Sequence, residues 1–139
     1  MERKYLPTLA ELIDRLSIIQ LKEVFIPENK TAYTKEIKDI MYDIDIVLQK
    51  QEEGDVCVIG VDAYMIRAII VLAQMNLHIW HNESEARKGN AENNNLQLTH
   101  GLNGIRTEAK NLLSTYVGER EDLKVDCLAA EFKDWEISW

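Results

Sequence analysis

A stretch without helix breakers constrains the fold of this chain more than any other feature. No glycine or proline occurs from Val61 to Lys88, so one long helix is expected there. Apolar residues recur in it at spacings of three and four, which places them on one side of the helix. This apolar ridge consists of Ile66, Ile70, Ala73, Leu77 and Trp80, with Ile69, Leu72 and Ile79 beside it. The sequence predicts that the ridge faces the core and that this helix is the centre of the fold.

The first helix has start and stop signals of its own. Thr8 and Glu11 have the spacing of a capping box, in which each side chain bonds to the backbone amide of the other residue. Pro27 excludes helical geometry in the residue before it, so this helix should end near Ile26. Its predicted apolar face comprises Leu9, Leu12, Ile13, Leu16, Ile19 and Leu21.

Two more helices follow from the same apolar spacing. Thr31 is a suitable N-cap for a second helix that stays periodic as far as Gln51. The fourth helix is expected from about Leu96 to Val117, with Gly118 at the position of a left-handed C-cap. The core positions predicted for these two helices are Tyr33, Ile37, Ile40, Met41, Ile44, Val47, Leu48, Leu98, Leu102, Ile105, Ala109, Leu112 and Tyr116.

Two other segments are less periodic. The short apolar run Val56–Gly60 fits an extended connector, a strand or an early part of the third helix, and we expect a buried connector. Near the C-terminus, a short helix that docks on the bundle is expected from Leu128, Phe132 and Trp135. The apolar end Ile137–Trp139 should be anchored as well.

Composition supports helices and one domain. A chain of 139 residues buries roughly two-thirds of its surface in a single core. Only 6 Gly and 2 Pro are present, too few for a disordered or turn-rich all-β chain. We therefore predict an all-α, single-domain antiparallel bundle of four main helices over residues 1–139, with a short C-terminal docking segment.

Net charge and cysteine count bear on location and partners. The net charge of −8 repels phosphate backbones and anionic membranes, so nucleic-acid binding is unlikely. Cys57 and Cys127 form no disulfide framework, and no secretory leader is evident at the N-terminus, which favours the cytoplasm. The longest apolar run, Ala68–Ala73, is far shorter than the ~20 residues that span a bilayer. We expect no membrane association.

Two polar stripes are the candidate binding residues. The first, on the third helix, consists of Asn76, Trp80, Glu83 and Arg87 at spacings of four, three and four. The second, on the fourth helix, consists of Asn103, Arg106 and Lys110 at spacings of three and four. Each set shares one helix face. An antiparallel hairpin centred near Glu92 would bring the two stripes together, with Asn76 near Lys110 and Trp80 near Arg106.

The chemistry of these stripes supports two interpretations. Glu83 opposes three cations, which leaves two excess positive charges in a protein that is negative overall. Arginine binds carboxylate or phosphate through a planar fork, and tryptophan offers a flat face to a base or sugar, so a small anionic ligand such as a nucleotide or sugar phosphate is expected. In the alternative, Glu83 pairs with one of the arginines, Trp80 packs in the core, and the cluster only holds the helices in register.

Metal-binding and catalytic signatures are weak. His78, His81 and Glu85 have a spacing that can hold a metal on one helix face, but they also fit a solvated surface. The ExxD carboxylate pairs are of the type that binds magnesium in helical nucleotide pyrophosphatases, although such pairs are common in an acidic chain. They begin at Glu11, Glu36, Glu119 and Glu131. No Ser-His-Asp, Cys-His or phosphate-loop signature occurs, so we predict no metal, no cofactor and no specific catalytic residue.

Three segments resemble a known family. They are Glu11–Lys22, Asn76–Arg87 and Asn103–Asn111. They are similar to the patterns E-L-x-D-K-[LI]-[TS]-I-L-x-[IL]-K, N-x-x-[LI]-W-x-x-E-x-x-x-R and N-x-x-R-x-x-x-K of short, all-helical bacterial and phage proteins classed as a domain of unknown function. The resemblance covers residues 9–26 and 76–111. The order and spacing of the three elements are more specific than any one of them.

The resemblance implies a shared polar signature and no particular reaction. That signature comprises Asp14, Lys22, Asn76, Trp80, Glu83, Arg87, Asn103, Arg106 and Lys110. Asp14 and Lys22 would reach the cluster if the first helix packs across the hairpin. This chain departs from the family by carrying Arg15 where lysine is usual, and His81 and Asn82 where an acidic residue is common.

Three functional hypotheses follow from the sequence. The first is a cytoplasmic binding module for a small anion, and the second is a non-catalytic structural or protein-interaction module. The third is a magnesium-dependent nucleotide pyrophosphohydrolase. A homodimer is also expected, since three Trp, five Tyr and an apolar terminus favour self-association in a small domain.

Overall fold

The computed structural model describes residues 1–52, 55–58, 60–89, 94–121 and 137–139. Its four main helices are α1 (Leu9–Phe25), α2 (Lys30–Leu48), α3 (Ala63–Arg87) and α4 (Asn94–Val117). A single 3₁₀ turn, Pro27–Asn29, separates α1 from α2, and two short strands, β1 (Gln49–Glu52) and β2 (Asp55–Val58), lie between α2 and α3. The predicted all-α bundle of four main helices is confirmed.

The predicted boundaries of α1 are confirmed. Thr8 has an extended backbone, and its Oγ1 accepts a hydrogen bond of 3.2 Å from the Glu11 N–H. The Glu119 carboxylate accepts a second bond, of 2.7 Å, from the Leu9 N–H. A carboxylate at this end of the helix also interacts favourably with the helix dipole. The start of α1 is therefore tied to the segment that follows α4.

The start of α2 differs from the prediction. The helix begins at Lys30, and Asn29 occupies the N-cap position without a side-chain hydrogen bond. Because the Lys30 N–H bonds to the Pro27 carbonyl, the 3₁₀ turn continues directly into the helix. Thr31 lies inside the helix, so its prediction as an N-cap is wrong.

A short hairpin replaces the predicted connector after α2. The helix ends at Leu48 rather than near Gln51, and Gln51 instead pairs with Val56 in an antiparallel two-stranded sheet. The favoured interpretation of the run from Val56 as a plain connector is therefore wrong. Valines at both ends of the Val56–Val58 run favour an extended backbone, and a paired strand also satisfies backbone groups.

α1 packs antiparallel to α2, α3 packs antiparallel to α4, and α1 contacts all three other helices. Arg15 near the start of α1 bonds Glu36 of α2 at 2.8 Å, whereas Glu23 near its end accepts a bond from Thr34. Tyr116 at the end of α4 reaches the Gly60 carbonyl just before α3. The prediction that α3 is the centre of the fold is wrong, since α1 occupies that position.

The side of α3 that faces the core is only partly the predicted one: Leu72 and Ile79, predicted to lie beside the ridge, are buried, whereas most of the ridge itself is not. Its buried residues include Met65, Ala68, Leu72 and Ile79, which pack with α1 and α4 residues such as Leu9 and Leu113. Most of the predicted ridge is exposed: Ile66 is 49%, Ile70 50% and Leu77 45% exposed, Ala73 is also exposed, and Trp80 is half-buried. Because α3 is apolar on two sides, periodicity did not decide which side contacts the other helices.

The remaining core predictions are confirmed in most positions. On α1, Leu9, Leu12, Ile13 and Ile19 are buried. On α2 and α4, Ile40, Leu102 and Ala109 are buried, whereas Met41, Leu98 and Tyr116 are exposed. Ile137 and Trp139 pack against the main core, as expected for an anchored terminus. The predicted docking helix at Leu128, Phe132 and Trp135 lies outside the described residues.

One helix is apolar enough to cross a membrane by length and composition. Within the described part of the chain this applies to a single segment, Ala63–Glu85 of α3, with a mean hydropathy of 1.2. About a third of that segment, 33%, is buried inside the protein. The expectation of no membrane association stays a prediction.

The cap at Thr8 should contribute measurably to stability. Replacing Thr8 by Val keeps the shape of the side chain and removes the hydroxyl that accepts the Glu11 N–H, so the free energy of unfolding should fall by about 1 kcal/mol. Thr31→Val is the matched control, because Thr31 is exposed inside α2 and should change stability by less than about 0.5 kcal/mol. Urea denaturation followed by circular dichroism measures both. Equal stability of the two variants would contradict the prediction.

Candidate functional site

A buried asparagine joins three helices. Asn76 of α3 is 3% exposed, and its Nδ2 donates hydrogen bonds of 2.7 Å to Asp14 Oδ1 and 2.6 Å to Ser17 Oγ, both on α1. Its Oδ1 accepts a bond of 3.2 Å from Arg106 Nη1 on α4. Both N–H groups of the amide are therefore used, together with one acceptor site of its oxygen.

An ion pair completes the arrangement. Lys110 Nζ of α4 lies 3.7 Å from Asp14 Oδ2, and the two side chains are only 14% and 15% exposed. Ser17 Oγ donates a bond of 2.8 Å to the Asp14 carbonyl, which leaves its oxygen to accept from Asn76. We call these five residues the polar cluster: Asp14, Ser17, Asn76, Arg106 and Lys110.

The polar cluster carries an excess positive charge. Asp14 contributes one negative charge, against one positive charge each from Arg106 and Lys110. Arg106 Nε is buried and has no hydrogen-bond partner among the described residues. A buried donor without an acceptor is costly, so an oxygen atom of an anion at this position would be stabilising. The nitrogen belongs to a charged guanidinium, which strengthens such a bond further.

The structure brings together part of the predicted signature. Asp14, Asn76, Arg106 and Lys110 come together, but in other pairs than expected. Arg106, predicted near Trp80, bonds Asn76, and Lys110, predicted near Asn76, lies 3.7 Å from Asp14. Trp80, Asn103 and Lys22 are half-buried, and no hydrogen bond or ion pair between described residues joins their side chains to the polar cluster.

Glu83 and Arg87 lie apart from the cluster. Both are exposed, and no ion pair between described residues includes either one. Arg106 bonds at the level of Asn76, whereas Glu83 is two turns, or about 10 Å, further along α3. The interpretation in which Glu83 neutralises one of the arginines is therefore wrong. Asp14 is the carboxylate of the cluster.

Sequence reasoning did not identify Ser17 as part of this cluster. A signal was present, since Ser17 follows Asp14 by three residues and so lies on the same face of α1. Serines are common on helix surfaces, and only the position of Asn76 on another helix shows that this hydroxyl is needed as an acceptor.

The carboxylates of the ExxD pairs have other partners. Glu36 and Asp39 bind Arg15 and Lys35. Glu11 lies 3.3 Å from Arg120, and Glu119 accepts from the start of α1. Asp122, Glu131 and Asp134 lie outside the described residues. Among the residues that are described, no group of three or more His, Cys, Asp and Glu side chains could hold a metal.

The predicted histidine stripe is at the surface of α3. His78 and His81 are exposed, and Glu85 lies 3.7 Å from Lys88. This arrangement is that of a solvated helix face.

Comparison with known proteins found no match to a protein-family model, to a curated protein or to a solved structure. The resemblance to helical bacterial and phage proteins therefore depends on the three quoted segments alone and stays a prediction.

The polar cluster predicts a large effect of removing its central amide. Asn76→Ala leaves Asp14 Oδ1 and Arg106 Nη1 without their buried partner, so the free energy of unfolding should fall by about 3 kcal/mol. Asn82→Ala is the matched control on the same helix. Asn82 Nδ2 is buried without a hydrogen bond, so its removal should cost less than about 0.5 kcal/mol or stabilise the protein slightly.

Chemical denaturation of both variants, followed by tryptophan fluorescence, measures this difference. If Asn76→Ala were as stable as Asn82→Ala, the hydrogen bonds of Asn76 would not hold the three helices together.

Proposed function

We propose that this protein is a cytoplasmic, non-catalytic binding module that holds a small anion against Arg106 in the polar cluster. The buried Arg106 Nε, which has no hydrogen-bond partner in the described part of the chain, supports this proposal most directly. The excess positive charge of the cluster supports it as well. Electrostatic attraction is stronger at a partly buried site than at the surface, because less water screens it.

The chemistry of Arg106 favours a carboxylate or phosphate ligand. Asn76 binds the guanidinium through Nη1 and so orients its plane, while Nε faces a buried position. A planar fork of this kind matches two oxygen atoms of an anion. Trp80, half-buried and one turn beyond Asn76 on α3, offers an aromatic face to a base or sugar. A nucleotide or a sugar phosphate is therefore the ligand class we propose.

A structural or protein-interaction module is the second candidate. Asn76 makes three hydrogen bonds and Asp14 is paired with Lys110, so much of the cluster is satisfied without a ligand. On this alternative, the cluster only fixes the register of α1, α3 and α4. The third hypothesis, magnesium-dependent pyrophosphate hydrolysis, stays a prediction from the sequence, since no contact between described residues favours it.

Arg106→Lys separates the binding module from the structural alternative. Lysine keeps the positive charge and can donate to Asn76, but it has no donor at the position of Nε. For the wild type we expect the melting temperature to rise with inorganic phosphate, a nucleoside monophosphate or a hexose phosphate. At a hundredfold excess over Kd the stabilisation is about 2.7 kcal/mol. The rise should disappear in Arg106→Lys, while the melting temperature without ligand changes little.

Arg15→Lys is the matched control, because Arg15 is an exposed arginine on α1 that pairs with Glu36. Its ligand-dependent rise should equal that of the wild type. A rise that persists in Arg106→Lys would place the anion elsewhere on the protein. No rise with any of the three ligands, together with a large loss of stability in Arg106→Ala, would favour the structural alternative.

A further inference from the structure

The exposed side of α3 has the pattern of a coiled-coil seam. Ile66, Ile70, Ala73 and Leu77 follow one another at spacings of four, three and four, and we call these four residues the α3 seam. Each isoleucine and the leucine is close to half exposed. The side that packs in the core is formed by other residues, among them Met65 and Leu72. An apolar stripe of this length on a surface marks an interaction site.

The alternation of four and three continues beyond the seam. Ala63 precedes it by three residues, and Trp80 and Ser84 follow it by three and seven. Such alternation is the heptad repeat that lets two helices pack along a shared line. Ala73, in the middle, would let two backbones approach closely. The pattern therefore fits a helix as the partner better than an irregular loop.

We propose that the α3 seam packs in parallel against the α3 seam of a second copy of this chain. Like positions would then meet, with Ile70 on Ile70 and Leu77 on Leu77. Contact along the seam removes apolar side chains from water on both copies, and this drives association. The four residues of the α3 seam are separate from Arg106 and its partners, but Trp80, which extends the heptad, is also the side chain proposed to face the bound anion.

The charges that flank the seam select the parallel orientation. In a parallel pair of helices, a residue on one flank meets the residue five positions later on the second copy. Asp62 would meet Arg67, and Glu83 would meet Lys88, so both contacts join opposite charges. All four residues are exposed. Within one chain, Asp62 accepts a bond from the Met65 N–H, Arg67 lies over the ring of Trp139 and Lys88 lies 3.7 Å from Glu85, so these side chains would share those partners with the second copy. An antiparallel pair would instead place Asp62 opposite Glu83, which is repulsive.

A second copy explains the apolar side of α3 better than a lipid bilayer does. The same helix carries Asn76, whose hydrogen bonds to α1 and α4 would break if α3 left the bundle to cross a membrane. Leu72, which is fully buried, would lose its packing as well. A second copy covers the seam and leaves the bundle intact.

Ile70→Glu tests the seam, with Ile46→Glu as the matched control. Both isoleucines are 50% exposed, but Ile46 is on α2, away from the seam. The mass of each protein is measured by size-exclusion chromatography with light scattering at about 50 μM. The wild type and Ile46→Glu should have the mass of two chains, and Ile70→Glu the mass of one chain. Circular dichroism should show equal helix content in all three.

A charge exchange tests the parallel orientation. Glu83→Lys places two lysines together in the parallel dimer and should raise the dimer dissociation constant about tenfold. Adding Lys88→Glu exchanges the two charges and should restore the wild-type constant. Sedimentation equilibrium measures all three proteins. In an antiparallel dimer, Glu83→Lys would instead face Asp62 and strengthen association.

Several results would overturn the proposal. A wild type that is monomeric at about 100 μM, or an Ile70→Glu variant that remains dimeric, would show that the seam does not bind a second copy. Monomers that float with neutral phosphatidylcholine vesicles would make lipid the partner of the seam. Failure of the exchanged pair to restore association, in a dimer that depends on Ile70, would overturn the parallel orientation.

Discussion

The hydrogen bonds of one buried amide hold the bundle in its observed register. Asn76 lies where α3 faces both α1 and α4, and its two N–H groups and its oxygen all have partners on those helices. Burying an amide without these hydrogen bonds would lower the free energy of unfolding, because its polar atoms would lose their bonds to water and gain none in the protein. Sliding any of the three helices by one turn would move a partner by about 5 Å and break the set. Apolar packing of Leu9, Leu72 and Leu113 stabilises the core, whereas the amide selects one alignment among those that such packing allows.

The hydrogen bonds of Asn76 also position the guanidinium of Arg106. Because Arg106 bonds Asn76 through Nη1, its guanidinium is tied to α3, and its buried Nε has no acceptor among the described residues. Within the polar cluster, Asp14 is one carboxylate beside two cations, Arg106 and Lys110. A group that helps to fix the fold is therefore also the group best prepared to bind an anion. Stability and binding are linked through Arg106, and only a substitution that keeps its charge separates the two.

One side of α3 packs inside the bundle, and the opposite side is an exposed apolar surface. One side, with Ala68, Leu72 and Asn76, packs inside the bundle, and the other leaves Ile66, Ile70 and Leu77 about half exposed. Because α3 is apolar on two sides, it has more apolar surface than α1 and α4 cover. It thus resembles a membrane-spanning helix by length and composition, although its buried amide has polar partners within the bundle. The heptad spacing and the flanking charges of the exposed side fit a second helix of the same kind.

The sequence by itself determined where most helices lie and how α1 begins, because these depend on local chemistry. Thr8 supplies an acceptor three residues before a free amide, Pro27 ends a helix, and an absence of Gly and Pro lets α3 run uninterrupted. Spacing also indicated that the polar stripes of α3 and α4 would meet across a hairpin, but it placed Asn76 near Lys110, whereas the structure joins Asn76 to Arg106. Only the tertiary structure decided that α1 is the central helix, that Asp14 rather than Glu83 is the carboxylate of the cluster, and that Ser17 completes it.

Periodicity defines the faces of a helix but does not say which neighbour covers each face. For α3, with two apolar sides, that choice depends on contacts between residues distant in the chain, where the polar partners of Asn76 on α1 and α4 favour one side over the other.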